Sequence, residues 1–240
     1  MIKFSLILAC YNEGPTFEKS IEKIVAELKK LKINWEIVFV EDKSTDDTRD
    51  RVIKLSKVIK NSRLLLHNKN QGRGKTVSDG LAICRGIICG YMDVDCEISP
   101  RYLGAFIKQI ESGKDVALAR RFYQRSFKNV SREITSRGYS LLLKYVLNLP
   151  IEDTEAGFKF FKRTKIIPVL LKTQDYGWFW DTEICARSYL AGLQIAQINV
   201  KFVRREDKKS TVKIFSDSVD YAKKLWSFRT EYQKLKLKNA

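Results

Sequence analysis

The sequence has few prolines, a single histidine and no long apolar run. It has 240 residues with four prolines, and no stretch approaches 18 uninterrupted apolar residues, so we expect no membrane span. The apolar run that follows Met1 is too short for a secretory signal. We find no Pro/Gly linker, low-complexity tract or internal repeat. The chain is therefore expected to bury its core as one large domain.

Neither the cysteines nor the single histidine form a recognisable motif. The five cysteines show no C-x-x-C spacing and lie mostly in apolar runs, which predicts reduced thiols in a cytosolic protein. His67 follows "LLL" and precedes "NKN", and we interpret it as a strand-end residue rather than a catalytic one.

Acidic residues are scarce relative to basic ones. The chain has 45 Lys and Arg against 28 Asp and Glu, a formal net charge of +17. Such a surface attracts an anionic partner, which could be nucleic acid, a phosphorylated small molecule or the headgroups of an anionic membrane. The charge alone does not choose among these partners.

Short β-rich runs alternate with helical patterns as far as about residue 120. Strands are predicted at 3–9, 35–40, 63–67, 86–92 and 115–119. Helices are predicted at 16–31, from "STDDT" to about 60, at 75–85, and at 99–112, where Ser99 caps and Pro100 occupies the first turn. This alternation indicates an α/β fold with a mainly parallel central sheet and helices on both faces.

Polar clusters follow the first four predicted strands. They are "YNE" (11–13), "ED" (41–42), "NQGRGK" (70–75) and "DVDCE" (93–97). Ordinary turn chemistry would explain any one of them. Because ligands of an open parallel sheet bind outside the carboxyl ends of its strands, four such clusters at one edge favour a single binding crevice.

The "DVD" segment places two carboxylates one residue apart. Asp93 and Asp95 can share a hard divalent cation such as Mg²⁺ or Mn²⁺, and Glu97 can complete the ligand set. The glycine loop "NQGRGK" permits close backbone approach to a ligand, but it lacks the Walker A spacing, and no G-x-G-x-x-G follows the first strand. The pattern predicts a metal-assisted site for a nucleotide diphosphate.

Six segments carry a family resemblance in chain order: "LACYNE", "VEDKSTDDT", "NQGRGKTVSDG", "YMDVDCEISP", "DTEAGFKFFKR" and "WFWDTEI". Over roughly residues 3–215 they resemble the inverting family 2 glycosyltransferases of GT-A fold, in the branch of dolichyl-phosphate mannose synthases and polyprenyl-phosphate glucosyltransferases. The resemblance implies a metal-dependent enzyme that moves a hexose from GDP-mannose or UDP-glucose to a polyprenyl or dolichyl phosphate with inversion.

The resemblance also implies roles for individual residues. Metal ligands would be Asp93, Asp95 and Glu97, the last standing where mannose synthases have glutamine. The nucleotide sugar would contact Cys10, Tyr11, Glu13, Asp42, Gly74, Lys75, Asp93 and Val94. The catalytic set would be Asp95, Arg120, Arg137 and Asp181, and the acceptor phosphate would meet Arg120, Arg132, Arg137, Arg205 and Lys213.

Some positions depart from the family pattern. Ala9 and Cys10 replace the usual Pro-Ala, and Glu41 replaces the first of two aspartates. The segment "RREDKKSTVK" matches the family's C-terminal basic motif only loosely, which bears on Arg205 and Lys213.

Two kinds of acceptor make different chemical demands. A sugar hydroxyl needs a general base, for which Asp181 is the candidate. A lipid phosphate needs none, because its second pKa is about 6, and it requires cations instead. From Val116 to Lys144 there are seven Lys or Arg against one acid, Glu133, which favours the phosphate.

A basic nucleic-acid- or membrane-binding module without catalysis would also explain the +17 charge. It gives no reason for the acids that cluster at the strand ends, so we expect no nucleic-acid partner. For the catalytic domain we expect residues 1–213. Residues 214–240 are predicted to form an amphipathic basic helix that lies on the cytoplasmic face of an anionic membrane, with "YSLLLKYVLNL" (139–149) as a second interfacial candidate. The helix would bury one apolar face, made of Phe215, Val219, Ala222, Leu225 and Trp226.

Overall fold

The computed structural model describes residues 1–123, 143, 145–204 and 214–238. Its strands are β1 (Phe4–Cys10), β2 (Trp35–Glu41), β3 (Ser62–Leu66), β4 (Ile88–Met92), β5 (Val116–Tyr123), β6 (Phe158–Lys162) and β7 (Ile195–Phe202). The helices are α1 (Phe17–Lys30), α2 (Thr48–Val58), α3 (Arg73–Ile83), α4 (Leu103–Glu111), α5 (Arg163–Leu170), α6 (Trp180–Leu190) and α7 (Ile214–Lys238), with a 3₁₀ turn at Pro100–Tyr102.

The seven described strands form one sheet in the order β3-β2-β1-β4-β6-β5-β7. Neighbours from β3 to β4 are parallel, as are β5 and β7, whereas β6 runs antiparallel to both β4 and β5. The prediction of a mainly parallel sheet is therefore confirmed. The antiparallel β6 lies beyond residue 120, where the sequence alternation weakens.

Helices cover both faces of the sheet, because successive residues of a buried strand point to opposite sides. On one face Leu6 and Leu8 of β1 pack with α1, α2 and α4. On the other face Ile7 packs with α3, α5, α6 and α7. The long apolar runs of the central strands are thus explained by two cores separated by one sheet.

The predicted helices begin and end close to the expected positions, with one informative difference. Ser99 accepts a hydrogen bond from the backbone N–H of Arg101 and Pro100 follows it, as predicted for a capped first turn. The third helix begins at Arg73, two residues before the expected start. Gly72 precedes it with φ of 93°, a conformation that favours glycine, so the chain turns directly from the glycine loop into α3.

The described part of α7 packs on the domain. Tyr221, Leu225, Phe228 and Tyr232 are buried in the same core as α6, whereas Trp226 is exposed. The apolar face predicted from the sequence is therefore divided: Leu225 lies in the core, and Ala222 and Trp226 face outward.

In the second predicted interfacial segment, the described residues Leu143, Leu147 and Leu149 are buried and Tyr145 is exposed. No helix in the described ranges combines the length and apolar character needed to cross a bilayer.

Candidate active site

The polar clusters meet at one edge of the sheet. The chain runs outward from β1 to β2 and β3 in one direction and to β4 in the other, so the carboxyl ends of β1 and β4 flank a topological switch point. Ligands of open α/β sheets bind at such a point. The segments after β1, β2, β3 and β4 supply the walls of the crevice.

The turn after β4 presents the paired carboxylates. The backbone N–H of Asp93 donates to the carbonyl of Gly157 at 2.9 Å, and the carboxylate of Asp95 accepts from the N–H of Glu97 at 3.1 Å. Gly157 has to be glycine, because a Cβ atom there would run into the Asp93 carboxylate. Val94 is buried between the two aspartates and anchors the turn.

Arg73, the first residue of α3, lies across this turn. Its Nη2 donates to Oδ1 of Asp93 at 2.7 Å, and its Nη1 donates to Asp181. The guanidinium stands over the rings of Tyr91 and Trp178, with its central carbon 5.5 and 5.6 Å from the ring centroids. It therefore bridges the predicted metal-binding turn and the predicted catalytic base.

Asp181 is buried near the start of α6 among hydrogen-bond donors. Lys159 Nζ lies 2.5 Å from its Oδ1, and Tyr91 and Arg73 also donate to its carboxylate. Burial by itself would raise the pKa of Asp181, but the cations of Arg73 and Lys159 outweigh it and lower that pKa. Asp181 is thus an ionised anchor whose oxygens are already engaged.

A partly buried carboxyl, Glu155, lies in the loop that leads to Gly157. Desolvation raises the pKa of Glu155 to about 7, opposed by the cation of Arg121 and reinforced by the carboxylate of Asp153. Asp153 itself accepts from the backbone N–H, Nε and Nη2 of Arg121. The loop therefore holds one ionised carboxylate in a fixed ion pair and one carboxyl that binds a proton near neutral pH.

The predicted nucleotide-binding residues occupy the other wall. The backbone N–H of Glu13 donates to Thr48 at 2.7 Å, and Asn12, with φ of 49°, accepts from the N–H of Thr45 at 2.8 Å. Tyr11 is partly exposed there, whereas Cys10 is fully buried at the end of β1. These bonds fix the "YNE" turn against the start of α2.

Asp42 holds the glycine loop. Its carboxylate accepts from the backbone N–H groups of Gln71 and Gly72 at 2.8 and 2.9 Å, and it is almost completely buried. Gly74 packs on Trp180, and a Cβ atom on Gly72 would lie 2.6 Å from the carbonyl oxygen of Tyr176. The glycines are therefore required by the close approach of the loop that leads into α6.

The predicted basic residues are spread more widely. Lys75 pairs with Asp79 one turn along α3 and lies 5.9 Å from the centroid of the Tyr176 ring. Arg120 pairs with the exposed Glu152 at 2.8 Å. The remaining predicted phosphate ligands, Arg132, Arg137, Arg205 and Lys213, lie outside the described residues.

The donor set fits a hard cation in chemical type. Asp93 and Asp95 offer carboxylate oxygens at the crevice, the ligands that Mg²⁺ and Mn²⁺ prefer, and Asp93 is about half exposed. Across the described ranges, no group of three or more His, Cys, Asp or Glu side chains stands close enough to hold a metal by itself. Substrate oxygens and water would have to supply the remaining ligands.

Sequence reasoning missed Arg73 and Lys159. Arg73 lies in "NQGRGK", where the glycines indicated a ligand-binding loop. Lys159 lies in "DTEAGFKFFKR", which resembles a segment of the family 2 glycosyltransferases. Lys159 is fully buried, and a charged residue at an inward position of a strand usually has a partner. That signal was available, but the identity of the partner, Asp181, required the fold.

Comparison with known proteins identifies the class. Residues 5–169 match the family described as Glycosyl transferase family 2. This match covers more than half of the chain, so the protein belongs to glycosyl transferase family 2 and is an enzyme of the transferase class.

Curated relatives are similar at the level of about a quarter identity. Dolichyl-phosphate beta-glucosyltransferase of Saccharomyces cerevisiae is 26% identical over 253 residues. The match covers 96% of this chain and 75% of the yeast enzyme. Dolichyl-phosphate beta-glucosyltransferase ALG5A of Trichomonas vaginalis is 25% identical, and the match covers 88% of this chain and 69% of that relative. Glycosyltransferase AglD of Haloferax volcanii is 27% identical over 87% of this chain, which spans only 34% of that relative.

Solved structures share the fold. Glucosyl-3-phosphoglycerate synthase of Mycobacterium tuberculosis with Mn²⁺, UDP and phosphoglyceric acid superposes with a TM-score of 0.73 at 18% identity, over 95% of this chain and 78% of that one. The structure of the same enzyme with Mg²⁺ and UDP superposes with a TM-score of 0.71 at 19% identity, and the match covers 94% of this chain and 79% of that one. The architecture is thus the GT-A glycosyltransferase fold expected from the resemblance.

Proposed function

We propose that the protein transfers a hexose from a nucleotide diphosphate sugar to a polyprenyl phosphate, with inversion at the sugar. Two curated relatives are named dolichyl-phosphate beta-glucosyltransferases, which supports a lipid phosphate acceptor and makes UDP-glucose the first donor to test ahead of GDP-mannose. The donor would lie in the crevice between the "YNE" turn, the glycine loop and the turn after β4.

The state of Asp181 is the observation that carries this proposal. A general base must accept a proton from the attacking group, so it works best with a pKa near the operating pH and an accessible lone pair. Asp181 is buried, its pKa is lowered, and Lys159, Tyr91 and Arg73 already donate to it. It is poorly suited to deprotonate a sugar hydroxyl, whereas a phosphate acceptor with a second pKa of about 6 needs no base.

The charged residues would then divide the work of binding two phosphorylated substrates. Asp93 and Asp95, together with substrate oxygens and water, would hold a Mg²⁺ or Mn²⁺ ion, which neutralises the diphosphate leaving group when bound. Arg73 would exchange its bond to Asp93 for an oxygen of the donor, since its planar fork matches phosphate as well as carboxylate. Arg120, Arg132, Arg137, Arg205 and Lys213 would hold the acceptor phosphate.

An acceptor panel tests the proposal. The purified chain is incubated with UDP-glucose or GDP-mannose and Mn²⁺, and with a polyprenyl phosphate, the matching polyprenol or a neutral glycoside. We expect product only with the polyprenyl phosphate, because only that acceptor arrives as an anion without a proton to remove. Transfer to the glycoside, with the phosphate inactive, would overturn the proposal in favour of the hydroxyl acceptor with Asp181 as base.

We also propose that the enzyme works on an anionic membrane surface at the cytoplasmic face. Its acceptor would reside in a bilayer, and α7 presents exposed Trp226 and Leu237 together with exposed Lys223, Lys234 and Lys236. Exposed aromatic and apolar side chains among lysines are typical of interfacial helices. The opposite face of α7 packs on the core, so the helix would join the membrane surface to the domain.

A further inference from the structure

His67 lies between two carboxylates that come from different elements. The residue follows β3 directly and is buried. Its Nδ1 is 2.7 Å from Oδ1 of Asp42, at the end of β2, and its Nε2 is 3.1 Å from Oδ2 of Asp79, on α3. The chain has a single histidine, so this contact has no counterpart elsewhere in the protein.

The hydrogen bonds around His67 determine which atoms can donate. The carboxylate oxygens of Asp42 also accept from the N–H groups of Gln71 and Gly72. The other carboxylate oxygen of Asp79, Oδ1, accepts from the ammonium of Lys75. A neutral imidazole has one N–H and one lone pair, and the lone pair would face a carboxylate oxygen. Each ring nitrogen faces a carboxylate oxygen, and an N–H group on both nitrogens would satisfy both contacts.

Further groups hold His67 from the remaining sides. Its backbone N–H donates to the carbonyl of Glu41 at 2.9 Å. Its carbonyl accepts from Nη1 of Arg49, on α2, at 3.0 Å, and the same Nη1 lies 2.9 Å from Oε2 of Glu41. Five charged groups thus surround His67. Asp42 and Asp79 contact the ring, Glu41 and Arg49 contact its backbone, and Lys75 pairs with Asp79. Their arrangement joins β2, β3, α2 and α3 at one point.

We propose that His67 is a positioning residue that, as an imidazolium clamped between Asp42 and Asp79, sets the glycine loop and thereby places Arg73 at the donor site. The step from His67 to the loop is direct, because the carboxylate of Asp42 that His67 holds also receives Gln71 and Gly72. Arg73 follows Gly72 and reaches Asp93 and Asp181. The inference about catalysis rests on the proposed glycosyl transfer, whereas the charge state of the ring does not.

The first test is spectroscopic and needs no substrate. With a single histidine, selective ¹⁵N labelling gives one imidazole whose two nitrogen signals report protonation without assignment. We expect both nitrogens to carry protons, because each lies within hydrogen-bond distance of a carboxylate oxygen. One protonated and one unprotonated ring nitrogen would overturn the clamp.

The second test is kinetic and uses a matched pair, His67→Gln and Lys69→Gln. Both remove a positive charge from the same loop, but Lys69 is exposed. With UDP-glucose or GDP-mannose as donor, we expect His67→Gln to lower kcat/KM roughly ten- to hundredfold, mainly through the donor KM, because a displaced loop costs about that much. Lys69→Gln should stay within about twofold of wild type. Equal kinetics for the two variants would overturn the positioning role.

A folding control keeps the result interpretable. If far-UV circular dichroism shows that His67→Gln does not fold, Asp79→Asn takes its place, since it removes one partner and leaves the Asp42 contact. Asp79→Asn should raise the donor KM and move the Nε2 signal, and a variant with unchanged KM and unchanged Nε2 would overturn the clamp. A wild-type chain that transfers to no acceptor would sink the proposed function, while the ¹⁵N spectrum would still decide the charge state.

Discussion

At the scale of single residues, Arg73 connects the parts of the site that the sequence shows only separately. It pairs with Asp93 and Asp181, and it stands over Tyr91 and Trp178. The two carboxylates raise the pKa of the Arg73 guanidinium against the opposing effect of burial, so it stays charged. A planar, permanently charged group with two partners cannot be replaced by a point charge without loss of one contact.

Arg73→Lys should therefore reduce activity although the charge is kept. We expect kcat/KM to fall roughly ten- to hundredfold, since one charge-assisted hydrogen bond contributes about 1.5–3 kcal/mol. Arg101→Lys is the control, because Arg101 also lies over an aromatic ring, that of Tyr102, but on the exposed surface. Steady-state kinetics of both variants decide the matter, and equal values would contradict the bridging role.

Asp95→Asn tests the proposed metal ligand. We expect most transfer activity to be lost with little change in stability, because a polar residue at a strand end contributes little to the core. The thermal shift given by UDP with Mn²⁺ should also shrink, since a ligand that binds only the folded state raises stability by RT ln(1 + [L]/Kd). The exposed Asp50→Asn on α2 is the matched control. Activity near wild type at saturating donor and Mn²⁺ would remove Asp95 from the ligand set.

Glu155 predicts a pH-dependent change in stability. Its pKa rises from 4.5 to about 7 on folding, so between these values the folded state binds more protons than the unfolded state. The contribution of Glu155 to stability is therefore complete below about pH 4.5 and is lost as the pH rises through 7.

Glu155→Gln removes this dependence. The free energy of unfolding of the variant minus that of wild type should be larger at pH 8 than at pH 5. Urea unfolding at both pH values measures it. Glu152→Gln, in the same loop but exposed, controls for the loss of one carboxylate. A difference between Glu155→Gln and wild type that is identical at the two pH values would contradict the raised pKa.

At the scale of elements, α7 is joined to the site by more than apolar packing. Lys224 of α7 lies 2.7 Å from Oδ2 of Asp175, whose Oδ1 accepts from the N–H groups of Gly177 and Trp180. Arg187 of α6 pairs with Glu231 of α7 at 2.9 Å. The loop that carries Trp178 over Arg73 is thus held by the last helix.

Two adjacent residues of α7 separate its buried face from its exposed one. Leu225→Ala should lower the free energy of unfolding by about 2–5 kcal/mol, because Leu225 is only 2% exposed and truncation leaves a cavity. Trp226→Ala should change it by no more than about 0.5 kcal/mol, because Trp226 is 66% exposed. Urea unfolding of both variants gives the comparison, and equal losses would contradict this packing of α7.

At the scale of the whole molecule, the excess of positive charge has a proposed use on the exposed side of α7. The proposed membrane contact is best tested without truncation, since deleting residues 214–240 would remove the buried Tyr221, Phe228 and Tyr232 and expose the core residue Phe179 against which Tyr221 and Phe228 pack. Substituting exposed lysines changes the charge and leaves the core intact.

A triple variant, Lys223→Gln with Lys234→Gln and Lys236→Gln, should lose affinity for vesicles of phosphatidylcholine and phosphatidylserine. At about 1 kcal/mol per lysine, we expect a loss on the order of a hundredfold at low salt. A second triple variant, Lys29→Gln with Lys57→Gln and Lys60→Gln, removes the same charge from exposed positions at α1 and α2. Flotation measures binding, and equal losses in the two variants would show that net charge, not α7, governs it.

Local sequence determined the order of elements as far as about residue 120 and the position of the crevice. Apolar periodicity and turn residues report on each segment by itself, and in a parallel sheet the strand ends must fall on one edge. The sequence alone therefore places the polar clusters after β1, β2, β3 and β4 together. The family resemblance then predicted roles for Asp93 and Asp95, which lie at that edge.

Tertiary structure decided which side chains neutralise one another. Arg73 and Asp181 are 108 residues apart, and His67 and Asp42 are 25 apart. Periodicity carries no information about such pairs, because partner choice depends on how α3 and α6 approach the same strand. The division of α7 into a buried and an exposed face also required the fold, since a helix with apolar residues on several sides does not reveal from its sequence which side meets the core.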